Sequence, residues 1–129
     1  MNDMKGTPDG YSTVSPYLIV DGASIAMDFV KAVFDATEIR RFEDDEGGIV
    51  HAEVRIGDSV VMIADANEAW PATRSHLYVY VPDVDEAYGR ALAAGGRSLQ
   101  APERKEDEDR RAGVRDPSGT SWWIATRAG

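Results

Sequence analysis

The chain contains no cysteine, which removes disulfides, thiolate metal sites and cysteine nucleophiles from consideration. No apolar run approaches the roughly 20 residues that span a bilayer. The opening segment MNDMKGTPDG is polar and turn-rich, without the apolar stretch of a secretory leader. The expectation is a cytoplasmic protein with no membrane partner. Cations are scarce: 14 Lys and Arg against 23 Asp and Glu give a formal net charge of −9. Nucleic-acid affinity rests on cationic side chains meeting phosphates, so the balance argues against a nucleic-acid partner. No G-x-S-x-G, P-loop or G-x-G-x-x-G fingerprint occurs, and pairs such as Gly47-Gly48 and Gly95-Gly96 read as turns. Nine of the 23 acids fall in two runs, EDDE at 43–46 and ERKEDED at 103–109. Both read as solvated loops, with a cation-attracting surface as the alternative.

What is present is periodic. With 129 residues the chain can form one domain, burying roughly two-thirds of its unfolded surface. VSPYLIV (14–20) reads as a strand, with Asp21 as cap of a helix whose apolar positions are Ala23, Ala26, Met27, Val30, Val33 and Phe34. A strand over 38–43 follows, then IVHAEVRI and SVVMIAD flanking Gly57-Asp58, a two-residue hairpin turn. After the loop ANEAWPATRS the pattern restarts. HLYVYV (76–81) is a strand, and Asp83 with Glu86 opens a second helix in a capping-box pattern that runs to Gly95-Gly96. A short strand near Ser98 and a closing hairpin around Asp116-Pro117-Ser118-Gly119 complete it. A shift of 61 residues superposes Val20 on Val81, Ala26 on Ala87, Val30 on Ala91 and Ile63 on Ile124. Aligning first strand, helix and last strand at one shift points to a duplicated βαβββ unit. The expectation is an α+β fold: a flexible segment 1–10, then one domain over 11–129 made of unit 11–66, loop 67–75 and unit 76–127.

Strand alternation assigns faces. Leu18, Val20, Leu77, Val79 and Val81 belong under the helices. The Gly57-Asp58 turn pairs Glu53 with Met62, Arg55 with Val60 and Val54 with Val61. A three-residue loop Pro117-Ser118-Gly119 pairs Val114 with Trp122 in the core, leaving Gly113, Arg115, Ser121 and Trp123 on the open face. The open faces thus offer Ser15, Tyr17, His51, Glu53, Arg55 and Met62 from one unit. From the other they offer His76, Tyr78, Tyr80, Arg115 and Trp123. Aromatic walls with a few polar groups suit a small-molecule pocket in a cavity between curved mixed sheets, or else simply pack between them.

With YLIVDGA, HAEVRIGDSVVMIAD, HLYVYVPDVDEA and VRDPSGTSWWIAT in place, the chain resembles the vicinal oxygen chelate superfamily. That group includes glyoxalases, dioxygenases and bleomycin-resistance proteins, and the wording is most similar to its PhnB-like branch. The resemblance implies a homodimer, and in the family's enzymes a divalent metal held between the sheets. Aligning the strands puts the four ligand positions at Ser15, Met62, His76 and Trp123, of which only His76 coordinates such an ion well. The expectation is therefore a protein with no metal and no cofactor that sequesters an aromatic or apolar ligand. Tyr17, Tyr78, Tyr80 and Trp123 would stack against it, Arg55, Arg115, Glu53 and His76 would orient its polar groups, and His51 and Met62 complete the ten expected ligand-binding residues. The alternative is a lyase or isomerase, using either a metal relocated to His51, Glu53 and His76 or acid–base chemistry by Glu53 and His76. A third possibility is a collapsed pocket in a partner-binding module.

Overall fold

The computed structural model describes residues 6–104 and 109–127. The start of the expected flexible segment, residues 1–5, and residues 105–108 of the second acidic run lie outside the described residues. In the first unit β1 (Tyr17–Val20) leads into α1 (Ala23–Phe34), followed by β2 (Thr37–Glu43), β3 (Ile49–Ile56) and β4 (Ser59–Asp65). The second unit comprises β5 (His76–Tyr80), α2 (Val84–Ala93), β6 (Arg97–Arg104), β7 (Asp109–Arg115) and β8 (Ser121–Arg127). Each unit forms its own four-stranded mixed sheet, in the orders β1-β4-β3-β2 and β5-β8-β7-β6. The architecture is α+β, built from two tandem βαβββ units. Among the described residues no helix is long and apolar enough to cross a membrane.

The turn residues set the registers. Gly57-Asp58 joins β3 to β4 with Glu53 opposite Met62, Val54 opposite Val61 and Arg55 opposite Val60. The closing hairpin puts Val114 opposite Trp122 and Gly113 opposite Trp123. In the parallel pairs Tyr17 lies beside Met62 and Tyr78 beside Trp123. The shift of 61 residues seen in the sequence therefore also relates the two strand registers.

Three local expectations are corrected. β1 begins at Tyr17 rather than Val14, because Pro16 has no N–H for a ladder and offers only its carbonyl, which accepts from Met62 N at 2.9 Å. Asp21 does not cap α1. The cap position is Gly22, left-handed at φ 91° and without a side-chain bond. Instead Asp65, at the end of β4, accepts from Ala23 N at 2.8 Å through one oxygen and from Ile49 N at 2.7 Å through the other. Asp65→Ala should therefore cost about 1–2 kcal/mol in urea unfolding, as for loss of an N-cap with a second orphaned donor. An unchanged midpoint would rule out this tie. Finally, α2 packs over β6, β7 and β8, so Leu77, Val79 and Val81 are only partly buried rather than lying under that helix. The cap of α2 is as the sequence indicates, Asp83 accepting from Glu86 N at 3.2 Å.

The units meet on their helical sides. α1 packs on α2, the Phe34 ring lies 5.1 Å from that of Trp122, and Arg90 Nε donates to the Val33 carbonyl at 3.1 Å. Trp122 is 1% exposed and is the largest fully buried side chain among the described residues. This seam turns both open sheet faces outward, to Tyr17, Tyr78 and Tyr80, each about half exposed.

Candidate functional site

On the first open face the side chains converge on a carboxylate. Glu53 is 5% exposed. One oxygen accepts from Tyr11 Oη at 2.5 Å and lies 3.5 Å from Arg40 Nε; the other lies 2.8 Å from His51 Nε2. Burial alone would raise the Glu53 pKa, but the bonds from Tyr11 and His51 and the Arg40 charge outweigh it and hold the carboxyl below its ordinary value. The Glu53 bond in turn raises the Tyr11 phenol. Because Nε2 faces a carboxylate it carries the proton, so Nδ1 accepts from Tyr17 Oη at 2.8 Å. The result is a continuous hydrogen-bonded chain from an exposed phenol through imidazole to a buried carboxylate. A cavity of about 410 Å³ beside it is lined by Tyr11, Ser15, Arg40, Glu53 and Met62. Arg55 is committed elsewhere: its Nη1 donates to the Gly10 carbonyl at 2.6 Å, tying the N-terminal segment to β3.

The second open face has a flat aromatic floor and a tethered tyrosine pair. Trp123 Nε1 donates to His76 Nδ1 at 3.1 Å. The two rings are 9° from parallel with centroids 6.2 Å apart. Since an N–H···N bond lies in both ring planes, indole and imidazole sit edge to edge as one surface. The opposite edge of the indole lies on Gly113, where a Cβ would come within 2.4 Å of the ring. Trp123 thus covers the sheet from β5 to β7, and only glycine leaves room for it. Along β5, Tyr78 and Tyr80 both donate to Asp109 Oδ2, at 2.6 and 3.0 Å. Arg127 Nε lies 2.9 Å from the other oxygen. The Tyr78 bond is the main influence holding the Asp109 carboxyl below its ordinary value, with burial opposing it. Burial and the same bond raise Tyr78. Their rings, 5.3 Å apart at 55°, are fixed by their hydroxyls while their faces stay open.

The residues assigned to the open faces therefore form two clusters, one holding Tyr17, His51, Glu53 and Met62, the other His76, Tyr78, Tyr80, Arg115 and Trp123. At the seam lies a third space, a cavity of about 540 Å³ whose walls include Phe34, Ile56, Val61, Leu77, Val79 and Trp122. Of the ten residues proposed from sequence to bind ligand, only Tyr78 and Tyr80 line it. The four positions implied for a metal do not make a donor set. Trp123 presents an N–H, His76 Nδ1 is occupied by that N–H, the Met62 thioether is soft, and Ser15 is neutral. Among the described residues no three His, Asp or Glu side chains are grouped to hold an ion, and Glu53 pairs with His51 while His76 pairs with Trp123.

Sequence reasoning missed Tyr11 and Asp109. Tyr11 lies 42 residues from Glu53, with no period to link them. Asp109 ends an acidic run read as solvated loop, yet it is 5% exposed. The only available signal was its position at the start of a strand on the tyrosine face.

The family model of the Glyoxalase/Bleomycin resistance protein/Dioxygenase superfamily matches residues 13–124. The uncharacterized protein Rv0887c of Mycobacterium tuberculosis is 34% identical over 120 residues, covering 84% of this chain and 71% of that protein. The crystal structure of TioX from Micromonospora sp. ML1 superposes with a TM-score of 0.76 at 28% identity, over 90% of this chain and 98% of its own. TnmS3, an antibiotic binding protein from Streptomyces sp. CB03234, gives 0.68 at 18% identity, over 92% and 100%, a likeness of fold.

Proposed function

This chain belongs to the Glyoxalase/Bleomycin resistance protein/Dioxygenase superfamily, and from that premise we propose that it is a metal-free binder that sequesters a small aromatic or apolar molecule. The observation that carries the reading is the Trp123–His76 floor. A position that would need a lone pair for a metal holds an indole hydrogen-bonded across the strands and laid flat on Gly113. Such a surface, beside two tyrosines whose hydroxyls are already satisfied, offers stacking area with little rotamer entropy to lose. TnmS3, which shares the fold, is an antibiotic binding protein, and an aromatic antibiotic or metabolite is the proposed class of ligand. The proposal includes a homodimer, since Phe42, Tyr17, Tyr78 and Tyr80 are each 44–57% exposed and a second copy would close a groove over them.

The test is a thermal-shift screen of aromatic antibiotics and small metabolites, with elemental analysis of protein purified without chelator and sedimentation for the dimer. A true ligand at 100 times its Kd should stabilise by about 2.7 kcal/mol. Near-stoichiometric zinc, nickel, manganese or iron would sink the metal-free reading, and a screen with no stabilising compound would sink the binding one. A second reading, acid–base catalysis, draws on the Tyr17–His51–Glu53 chain, which replaces the Glu53–His76 pair expected from sequence. It would take precedence if a bound compound were turned over and His51→Gln abolished the turnover.

A further inference from the structure

One row of side chains crosses the second open face beside the aromatic floor. His76 on β5 is opposite Ser121 on β8, Ser121 is opposite Arg115 on β7, and Arg115 is opposite Arg97 on β6. Residues paired this way share a face, and this is the face that carries Trp123. The row holds two arginines in direct register, an arrangement that costs free energy unless something negative lies between them. Among the described residues neither guanidinium makes a hydrogen bond or an ion pair, and the Arg115 Nε is buried without a partner. This is unexpected in a chain with 23 acids against 14 bases. The nearest carboxylate in sequence is engaged elsewhere: both oxygens of Asp116 are taken up by Ser118, Thr120 and Trp122. His76 adds a donor. Its Nδ1 accepts from Trp123, so the proton of the neutral ring sits on Nε2.

We propose that Arg115 and Arg97, with His76, form a docking row for an oxoanion, carboxylate or phosphoryl, carried by the aromatic ligand that stacks on Trp123; Ser121, which joins them in register, is 2% exposed and takes no part. The proposal rests on the binding function above and narrows it to amphipathic molecules with a flat ring at one end and an anion at the other. The planar guanidinium fork suits such groups, and bonds in which both partners are charged are about twice as strong as neutral ones. Arg115 is only partly exposed, so its attraction for an anion is screened less by water than that of a freely solvated guanidinium.

Calorimetric titration with two matched probes, 1-naphthoate and the uncharged 1-naphthalenemethanol, tests the row. Naphthoate should bind the native protein about tenfold or more tightly than the alcohol. Arg115→Gln should bring that ratio close to one by weakening naphthoate far more than the alcohol. Arg97→Gln, at an exposed position where folding is not at risk, should lower the ratio in the same sense. Naphthyl phosphate in place of naphthoate distinguishes phosphoryl from carboxylate preference. Equal affinity of the native protein for naphthoate and alcohol would overturn the row while leaving the binding function intact, and so would a ratio unmoved in both variants. Binding of neither probe would overturn both the row and the aromatic site it extends.

Discussion

Asp116→Ala should lower the unfolding free energy by about 3 kcal/mol, among the largest losses available to a single polar side chain in this fold. The carboxylate is 3% exposed and accepts from four donors. Oδ1 receives the Ser118 N–H at 2.8 Å, the Ser118 hydroxyl at 2.7 Å and the Thr120 N–H at 3.2 Å. Oδ2 receives the Trp122 indole N–H at 2.8 Å. Alanine would unmake the closing turn and strand the polar atom of a side chain buried between the two units. Leaving one such donor unpaired costs about 1–3 kcal/mol. Trp122→Phe removes that donor along with its partner's reason for being there. The double variant should therefore lose less than the sum of the single ones, with a coupling of about 1–2 kcal/mol in urea melts. Strict additivity, or a loss below about 1 kcal/mol for Asp116→Ala, would mean that the turn is held by its backbone alone.

Asp116 also shows what the sequence discloses and what it conceals. That Asp-Pro-Ser-Gly makes a turn follows from local chemistry, and from the turn follow the pairing of Val114 with Trp122 and the burial of that indole. The same holds for Gly57-Asp58, whose two-residue length sets every pair between β3 and β4. Period and turn length are local, and a one-residue slip would exchange the two faces, so register can be read from the chain. The partner of a polar side chain cannot. Nothing local distinguishes the Asp65 that reaches back 42 residues to α1 from the Asp21 that stands beside it. Likewise Asp109 and its acidic neighbours look alike until the tyrosines are placed over one of them. For the site, His51 and Glu53 lie two apart on one strand, so their meeting was legible. Whether either would meet His76 depended on how two sheets pack, which alternation does not encode. The helical seam separates them.

Gly113→Val should abolish stacking of aromatic ligands on the second face, with at least about a tenfold loss of affinity for 1-naphthalenemethanol. Gly113 is buried in the middle of β7, and a Cβ there would stand 2.4 Å from one indole carbon of Trp123, 2.7 Å from a second and 3.1 Å from a third. Such contacts cannot be relaxed by the backbone, which is held on both sides by β6 and β8, so the indole must swing off the sheet. It then loses the bond to His76, and the flat floor becomes an upright ring with a cavity beneath it. Valine suits a strand, so the cost in stability is one of overpacking, about 1–3 kcal/mol. Combining Gly113→Val with Trp123→Ala separates fold from function. Removing the indole relieves the clash and should recover most of the lost stability, yet binding should remain absent because the floor is gone. If the Gly113→Val protein instead bound the alcohol as tightly as the native chain does, Trp123 would not be the surface that holds the ligand. The site would then have to be sought in the seam cavity between Phe34, Leu77 and Trp122.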